Sequence, residues 1–158
     1  SEGGKPMKWM IAALALALGA APAFAAELGD DGLHKTDWFH VTFLDLQEDA
    51  ADAAANGKRL LLIVEQRGCL YCSDMHEKTF PDERVQALLR NDYYPVQINL
   101  HGDTELVDLD GEILSEKQAA RKWGVLFTPT MILLPAEVDA ARPAIARASP
   151  GRSRRGSA

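Results

Sequence analysis

The 158-residue sequence has only two cysteines, Cys69 and Cys72. One bridge cannot replace a hydrophobic core, so a small scaffold held by several disulfides is excluded. Positive charge is not in excess either. The formal net charge is −6 at pH 7, and without a basic face the chain lacks the footprint of a nucleic-acid binder. The apolar run from Trp9 to Ala21 has 13 residues, short of the roughly 20 that span a bilayer, so no stable membrane insertion is expected. Compositional bias is lacking too: 25% charged and 7% aromatic residues argue against a fibrous repeat or wholesale disorder. What remains suits one globular domain.

Charge is distributed unevenly. Residues 1–25 carry a net +1, residues 26–135 set 10 Lys+Arg against 20 Asp+Glu, and residues 136–158 carry a net +3. The first part has the form of an address. Met7-Lys8-Trp9 opens the apolar run, and Ala23 and Ala25 supply the small residues of a cleavage site, so a secretory signal peptide cut after Ala25 is expected, with a retained anchor as the alternative. Ser1 to Pro6 read as an upstream extension. The mature chain is expected in an oxidising periplasm, beginning with a flexible leader over residues 26–37.

The folded domain is expected over residues 38–135. Asp45 to Asn56 is rich in helix formers and closes on Asn56-Gly57, a helix C-terminal signal. Leu60 to Val64 is a short apolar run that fits a strand buried on both faces. A helix follows Cys72 through Lys78, and Pro81-Asp82-Glu83 opens another, placing Val85, Leu88 and Leu89 on one face. Tyr93 to Leu100 reads as a strand, His101 to Leu114 as an acidic loop, Ser115 to Trp123 as a helix stopped by Gly124, and Thr130 to Leu134 as a strand. Alternating helices and strands imply parallel pairing and an α/β sandwich, a central sheet flanked by helices.

Cys69 and Cys72 form a C-x-x-C after the buried strand and at the mouth of a helix. There a thiol meets free backbone N–H groups and the positive end of the helix dipole, which favour the thiolate. Cys69 is expected to be the exposed nucleophile and Cys72 the resolving cysteine. Three other readings compete. Covalent haem attachment wants a histidine after the second cysteine, where Ser73 stands. Structural zinc would need His76, His101 or scattered carboxylates to complete the ligand set. A structural disulfide would close a very small loop and stabilise little. Farther on, Phe127-Thr128-Pro129-Thr130 precedes a strand, and a proline there marks an edge, a bulge or a cis bond.

Together, strand Leu60 to Val64, the motif Gly68-Cys69-Leu70-Tyr71-Cys72 and Thr128-Pro129 resemble the thioredoxin superfamily. Periplasmic SoxW-type thioredoxins are similar at Glu65-Gln66, Gly68-Cys69, Tyr71-Cys72 and Met75-His76, and at Ala120 to Thr130. The resemblance implies a thioredoxin-like fold and thiol–disulfide exchange with no cofactor beyond the Cys69-Cys72 disulfide. It implies that Cys69 attacks, that Pro129 is a cis-proline docking substrate backbone, and that Thr128 borders the site. It also implies protein disulfide substrates and a membrane thiol-electron transporter as reductant, in sulfur oxidation or cytochrome maturation. Gly68 stands where cytosolic thioredoxins often have tryptophan, a departure that bears on recognition by thioredoxin reductase.

Other residues carry smaller expectations. Glu65 is a candidate proton acceptor for Cys72, with an exposed strand-end carboxylate as the favoured reading. His76 is a candidate for tuning the pKa of Cys72, a surface helix histidine being favoured. Tyr71 is expected to flank the disulfide as a surface aromatic, with a packing role as the alternative. Asp108-Leu109-Asp110-Gly111 fails the calcium-loop ligand pattern and reads as a solvated loop. Residues 136–158 hold five Arg and seven Ala, and their only large apolar side chains are Val138 and Ile145. They are expected to form a disordered basic tail in place of the family's last strand and helix, leaving Val125 to Leu134 as a bare sheet edge. The alternatives to a reductant are a disulfide oxidase or isomerase, or a non-catalytic or incompletely folded module.

Overall fold

A computed structural model describes residues 27–135 and 146–147. The signal segment 1–25 with its cleavage site, and all of the tail but Ala146 and Arg147, lie outside the described residues. Among the described residues no helix is long and apolar enough to cross a membrane.

Helix α1 (Leu46–Ala55) begins where the Asp45 carboxylate accepts from the N–H groups of Gln47 and Glu48. It ends in a left-handed turn at Gly57, φ +66°. There the N–H groups of Gly57 and Lys58 donate back to the carbonyls of Ala54 and Ala53, 3.0 and 2.8 Å away, using acceptors the helix leaves free. The chain then enters β3 (Arg59–Glu65), preceded in the sequence by β1 (Glu27–Leu28) and β2 (His34–Lys35).

All of β3 but Arg59 is buried, and its alternation feeds two cores. Leu60, Leu62 and Val64 meet Leu46 and Ala53 on one side with Ala119, Ala120 and Trp123. Leu61 and Ile63 meet Trp38, Phe39, Met75, Phe80 and Leu89 on the other. Each such aliphatic side chain taken from water is worth about 1.5–3 kcal/mol, which fixes β3 as the centre of the sheet.

Helix α2 (Leu70–Asp74) continues into a single π-helical turn (Met75–Thr79). Helix α3 (Glu83–Asp92) is capped by Asp82. Of its three expected inward residues, Leu89 is buried and Leu88 is 53% exposed, a correction: Leu88 falls just outside a narrow apolar stripe. Strand β4 (Tyr93–Asn99) runs parallel to β3, Arg59 opposite Tyr93 and Glu65 opposite Asn99.

The expected loop at 101–114 is largely a hairpin, β5 (Glu105–Val107) with β6 (Ile113–Ser115). Gly111, φ +84°, supports its turn and Leu106 is sunk in the core. Helix α4 (Glu116–Lys122) follows, its first turn closed by a reciprocal Ser115–Gln118 capping box.

Strand β7 (Thr130–Leu133) then lies antiparallel to β3, Leu61 opposite Leu133 and Val64 opposite Thr130. The expectation of parallel pairing throughout is therefore corrected. The connection from β4 holds a hairpin and a helix, and delivers β7 to the far side of β3 with its direction reversed. The short β8 (Ala146–Arg147) pairs antiparallel with Ile132 and Leu133, giving the order β4–β3–β7–β8, so the edge expected to be bare carries two paired residues.

The expected flexible leader is corrected as well. β1 and β2 form an antiparallel hairpin whose Lys35 ammonium donates to Asp31 and Gln97, both at 2.7 Å. Leu33 is 2% exposed, and Trp38 and Phe39 are buried. Burial of these three apolar side chains holds the segment to the body.

Candidate active site

The two cysteines sit at the junction of β3 and α2. Gly68, φ +70°, turns the chain out of the strand in a conformation that strains any residue with a Cβ. Cys69 is the N-cap of α2: its sulfur accepts from the N–H of Cys72 at 3.1 Å, and its carbonyl accepts from Ser73. The two are joined as a disulfide with Cα atoms 5.2 Å apart. Cys69 is half-buried and Cys72 is 1% exposed. Cys69 is thus the more accessible residue of the two, and Cys72 lies one turn inside.

The peptide bond Thr128–Pro129 is cis. Thr128 is buried, and its Oγ1 lies 3.2 Å from the Cys69 sulfur, so the segment before β7 closes over the disulfide. Leu70 and Tyr71, between the cysteines, are 81% and 75% exposed; Leu126 and Phe127, leading into Thr128, are 86% and 70% exposed. The sulfur pair is thus flanked by large apolar side chains in water.

Glu65 and His76 stand elsewhere than the favoured readings had them. Neither is on the surface: Glu65 is fully buried and His76 is 4% exposed. Glu65 Oε1 is 2.8 Å from His76 Nε2, while its Oε2 accepts from Gln97 Nε2. The His76 ring stacks on His34 with centroids 5.1 Å apart and meets the edges of Phe39 and Phe80. Its Nδ1 has no hydrogen-bond partner among the described residues. The cause is register: β3 runs one residue past its apolar run and carries Glu65 inward, where an ion or amide must meet it. Glu65 and His76 hydrogen-bond to each other rather than to either sulfur.

Sequence reasoning missed two contributors. Gln66 Nε2 donates to Thr128 Oγ1 at 2.8 Å, and the Gln66 Oε1 lies 3.0 Å from His101 Nε2. Gln66 belongs to the motif quoted above but had been given no role, and His101 lies 35 residues away in sequence. Gln97, a polar residue between Val96 and Ile98 in β4, was the available signal for a buried partner of Glu65.

The acidic residues of the β5–β6 turn gather on one cation. Asp108, Asp110 and Glu112 each lie 2.7 Å from Lys122 Nζ, and Asp108 also accepts from the Trp123 indole N–H at 3.3 Å. Burial disfavours the Lys122 charge, but hydrogen bonds to the three carboxylates outweigh it and hold the ammonium above its ordinary pKa.

A thioredoxin-like domain family matches residues 46–140, more than half of the chain. Among solved structures, a thioredoxin from Thermus thermophilus is similar at 21% identity with a TM-score of 0.44, over 56% of this chain and 60% of that one. A thioredoxin-fold protein from Helicobacter pylori is similar at 20% identity with a TM-score of 0.40, over 58% and 63%. The chain thus spans somewhat over half the length of each. No curated protein matches the sequence. The match over residues 46–140 includes both cysteines and the cis-proline, and the chain belongs to the thioredoxin-like domain family, with a cysteine pair placed for thiol–disulfide redox chemistry.

Proposed function

We propose that this protein is an exported thiol–disulfide oxidoreductase that reduces protein disulfides in the periplasm. The observation that carries the reading is the pairing of a half-buried Cys69 with a fully buried Cys72 across one helical turn, beside the Thr128 hydroxyl.

In the reduced form the Cys69 thiolate attacks one sulfur of a partner disulfide. A Cys69–partner bond forms, and the partner's other sulfur leaves as thiolate and takes a proton. Cys72, losing its proton, then attacks Cys69; the Cys69–Cys72 bond forms and the second partner sulfur departs. Two electrons pass from the dithiol to the partner, and the two sulfurs carry them without metal or organic cofactor. The membrane thiol-electron transporter expected as reductant restores the dithiol by the same exchange in reverse.

Leu70, Tyr71, Leu126 and Phe127 suit a partner that offers an extended, apolar-flanked cystine, with Pro129 against its backbone. Export rests on the pattern from Met7 to Ala25. The reducing direction, and a place in sulfur oxidation or cytochrome maturation, rest on the resemblance to SoxW-type proteins. The test is the reduction potential of the Cys69/Cys72 couple. A value near thioredoxin's, about −270 mV, is expected; one near about −120 mV would assign an oxidase instead.

A further inference from the structure

We propose that Gln66 and His101 are positioning residues that aim the Thr128 hydroxyl at Cys69. The inference rests on the reading of Cys69 as the attacking sulfur. Three hydrogen bonds join four residues from three parts of the fold: His101 Nε2 to Gln66 Oε1 at 3.0 Å, Gln66 Nε2 to Thr128 Oγ1 at 2.8 Å, and Thr128 Oγ1 to the Cys69 sulfur at 3.2 Å. Gln66 follows β3, His101 follows β4, and Thr128 precedes β7.

The chain has a direction. An amide oxygen only accepts, so the His101 Nε2–H donates to it. The Gln66 amide N–H then fills a lone pair of the Thr128 oxygen. A threonine hydroxyl has one proton, and with its oxygen already accepting, that proton goes to the remaining neighbour, the Cys69 sulfur. If the Gln66 amide were turned over, its oxygen would take the Thr128 proton and the sulfur would lose its donor. In its Nε2–H tautomer His101 opposes this, because its N–H is satisfied only with the amide oxygen on its own side. Asn99 in turn holds the turn that presents His101, its Oδ1 accepting from the His101 backbone N–H at 3.1 Å.

A hydroxyl donating to sulfur favours the thiolate over the thiol, because hydrogen bonds to a charged group are the stronger ones. Losing it shifts the couple towards the disulfide and lowers the thiolate fraction of Cys69.

The experiment compares the parent chain with Gln66→Leu, His101→Phe, Thr128→Val and Thr128→Ser. It measures the redox equilibrium with dithiothreitol, the thiolate absorbance of the reduced protein, and the alkylation rate of Cys69 by iodoacetamide. Gln66→Leu and Thr128→Val are expected to move the equilibrium about tenfold towards the disulfide and to lower thiolate absorbance and alkylation. His101→Phe, at an exposed position, moves both in the same direction by less. Thr128→Ser, which keeps the hydroxyl, stays near the parent. Parent values in both Gln66→Leu and His101→Phe would overturn the proposal, as would a lowered melting temperature with an unchanged equilibrium. In either case a redox-active parent leaves the oxidoreductase reading standing, whereas a parent inert to dithiothreitol overturns both.

Discussion

Glu65 and His76 meet at 2.8 Å inside the protein, with side chains 1% and 0% exposed. A pair so placed contributes little net stability when intact, because desolvation offsets the attraction, but breaking it from one side is costly. Glu65→Leu strips His76 Nε2 of its partner, while Gln97 keeps its bond to the His34 carbonyl. The expected loss is about 3 kcal/mol, read from urea unfolding. Glu65→Leu combined with His76→Phe restores most of it, since no polar group is then left alone. A double variant as unstable as the sum of the two singles would contradict this account of the pair.

Asp49 predicts a pH dependence. Burial raises its carboxyl from 3.8 to about 6, helped by the negative charges of Asp45, Asp52 and Glu48 and opposed by the Thr42 hydroxyl, which donates at 2.9 Å. The folded chain therefore keeps a proton that the unfolded chain loses near pH 4. Stability falls as the pH rises from about 4 to about 6, and the deficit is complete above that. Asp49→Asn, which can still accept from Thr42, should be more stable than the parent at neutral pH by about 1–2 kcal/mol and indistinguishable from it near pH 4. Thermal melts at the two pH values check both halves.

Lys122 holds the β5–β6 turn to α4. Its removal would leave Asp108, whose side chain is 7% exposed, without its counter-ion, whereas Asp110 and Glu112 are in water. Lys122→Met is expected to cost about 1–3 kcal/mol, nearly all of it through Asp108. Asp108→Asn placed in the Lys122→Met background recovers part of that loss; no recovery would mean the cost lies in the exposed pairs.

Phe127 separates docking from chemistry. It is 70% exposed, so Phe127→Ser should leave stability within about 0.5 kcal/mol of the parent. With a protein disulfide as substrate KM rises several-fold, while the equilibrium with dithiothreitol, too small to need an apolar surface, does not move. An unchanged KM would remove Phe127 from the docking surface.

Much of the architecture was written in local signals. The β3 run from Leu60 to Val64, the Asn56-Gly57 stop, the Asp82 and Ser115 caps and the C-x-x-C at a strand–helix junction each specify their own conformation within a few residues, and the structure has them there. What was not legible depended on distance. The direction of β7 is set by how the chain returns across a hairpin and a helix, not by Thr130 to Leu133 themselves. Trp38 and Phe39 are ordinary residues in a polar stretch until Phe80 and Ile63 meet them. Glu65 and His76 read separately as surface groups, because only the pairing of β3 with β4 and the turn after α2 bring them and Gln97 together. At the site, the cysteines and Pro129 were marked by motif, while Gln66 and His101 act through contacts that no spacing rule encodes.

Insulin reduction by dithiothreitol measures directly whether Cys69 is a working nucleophile. The parent chain should accelerate the precipitation of reduced insulin, and Cys69→Ser should fall to the rate of dithiothreitol alone. Equal rates for the two would contradict the assignment.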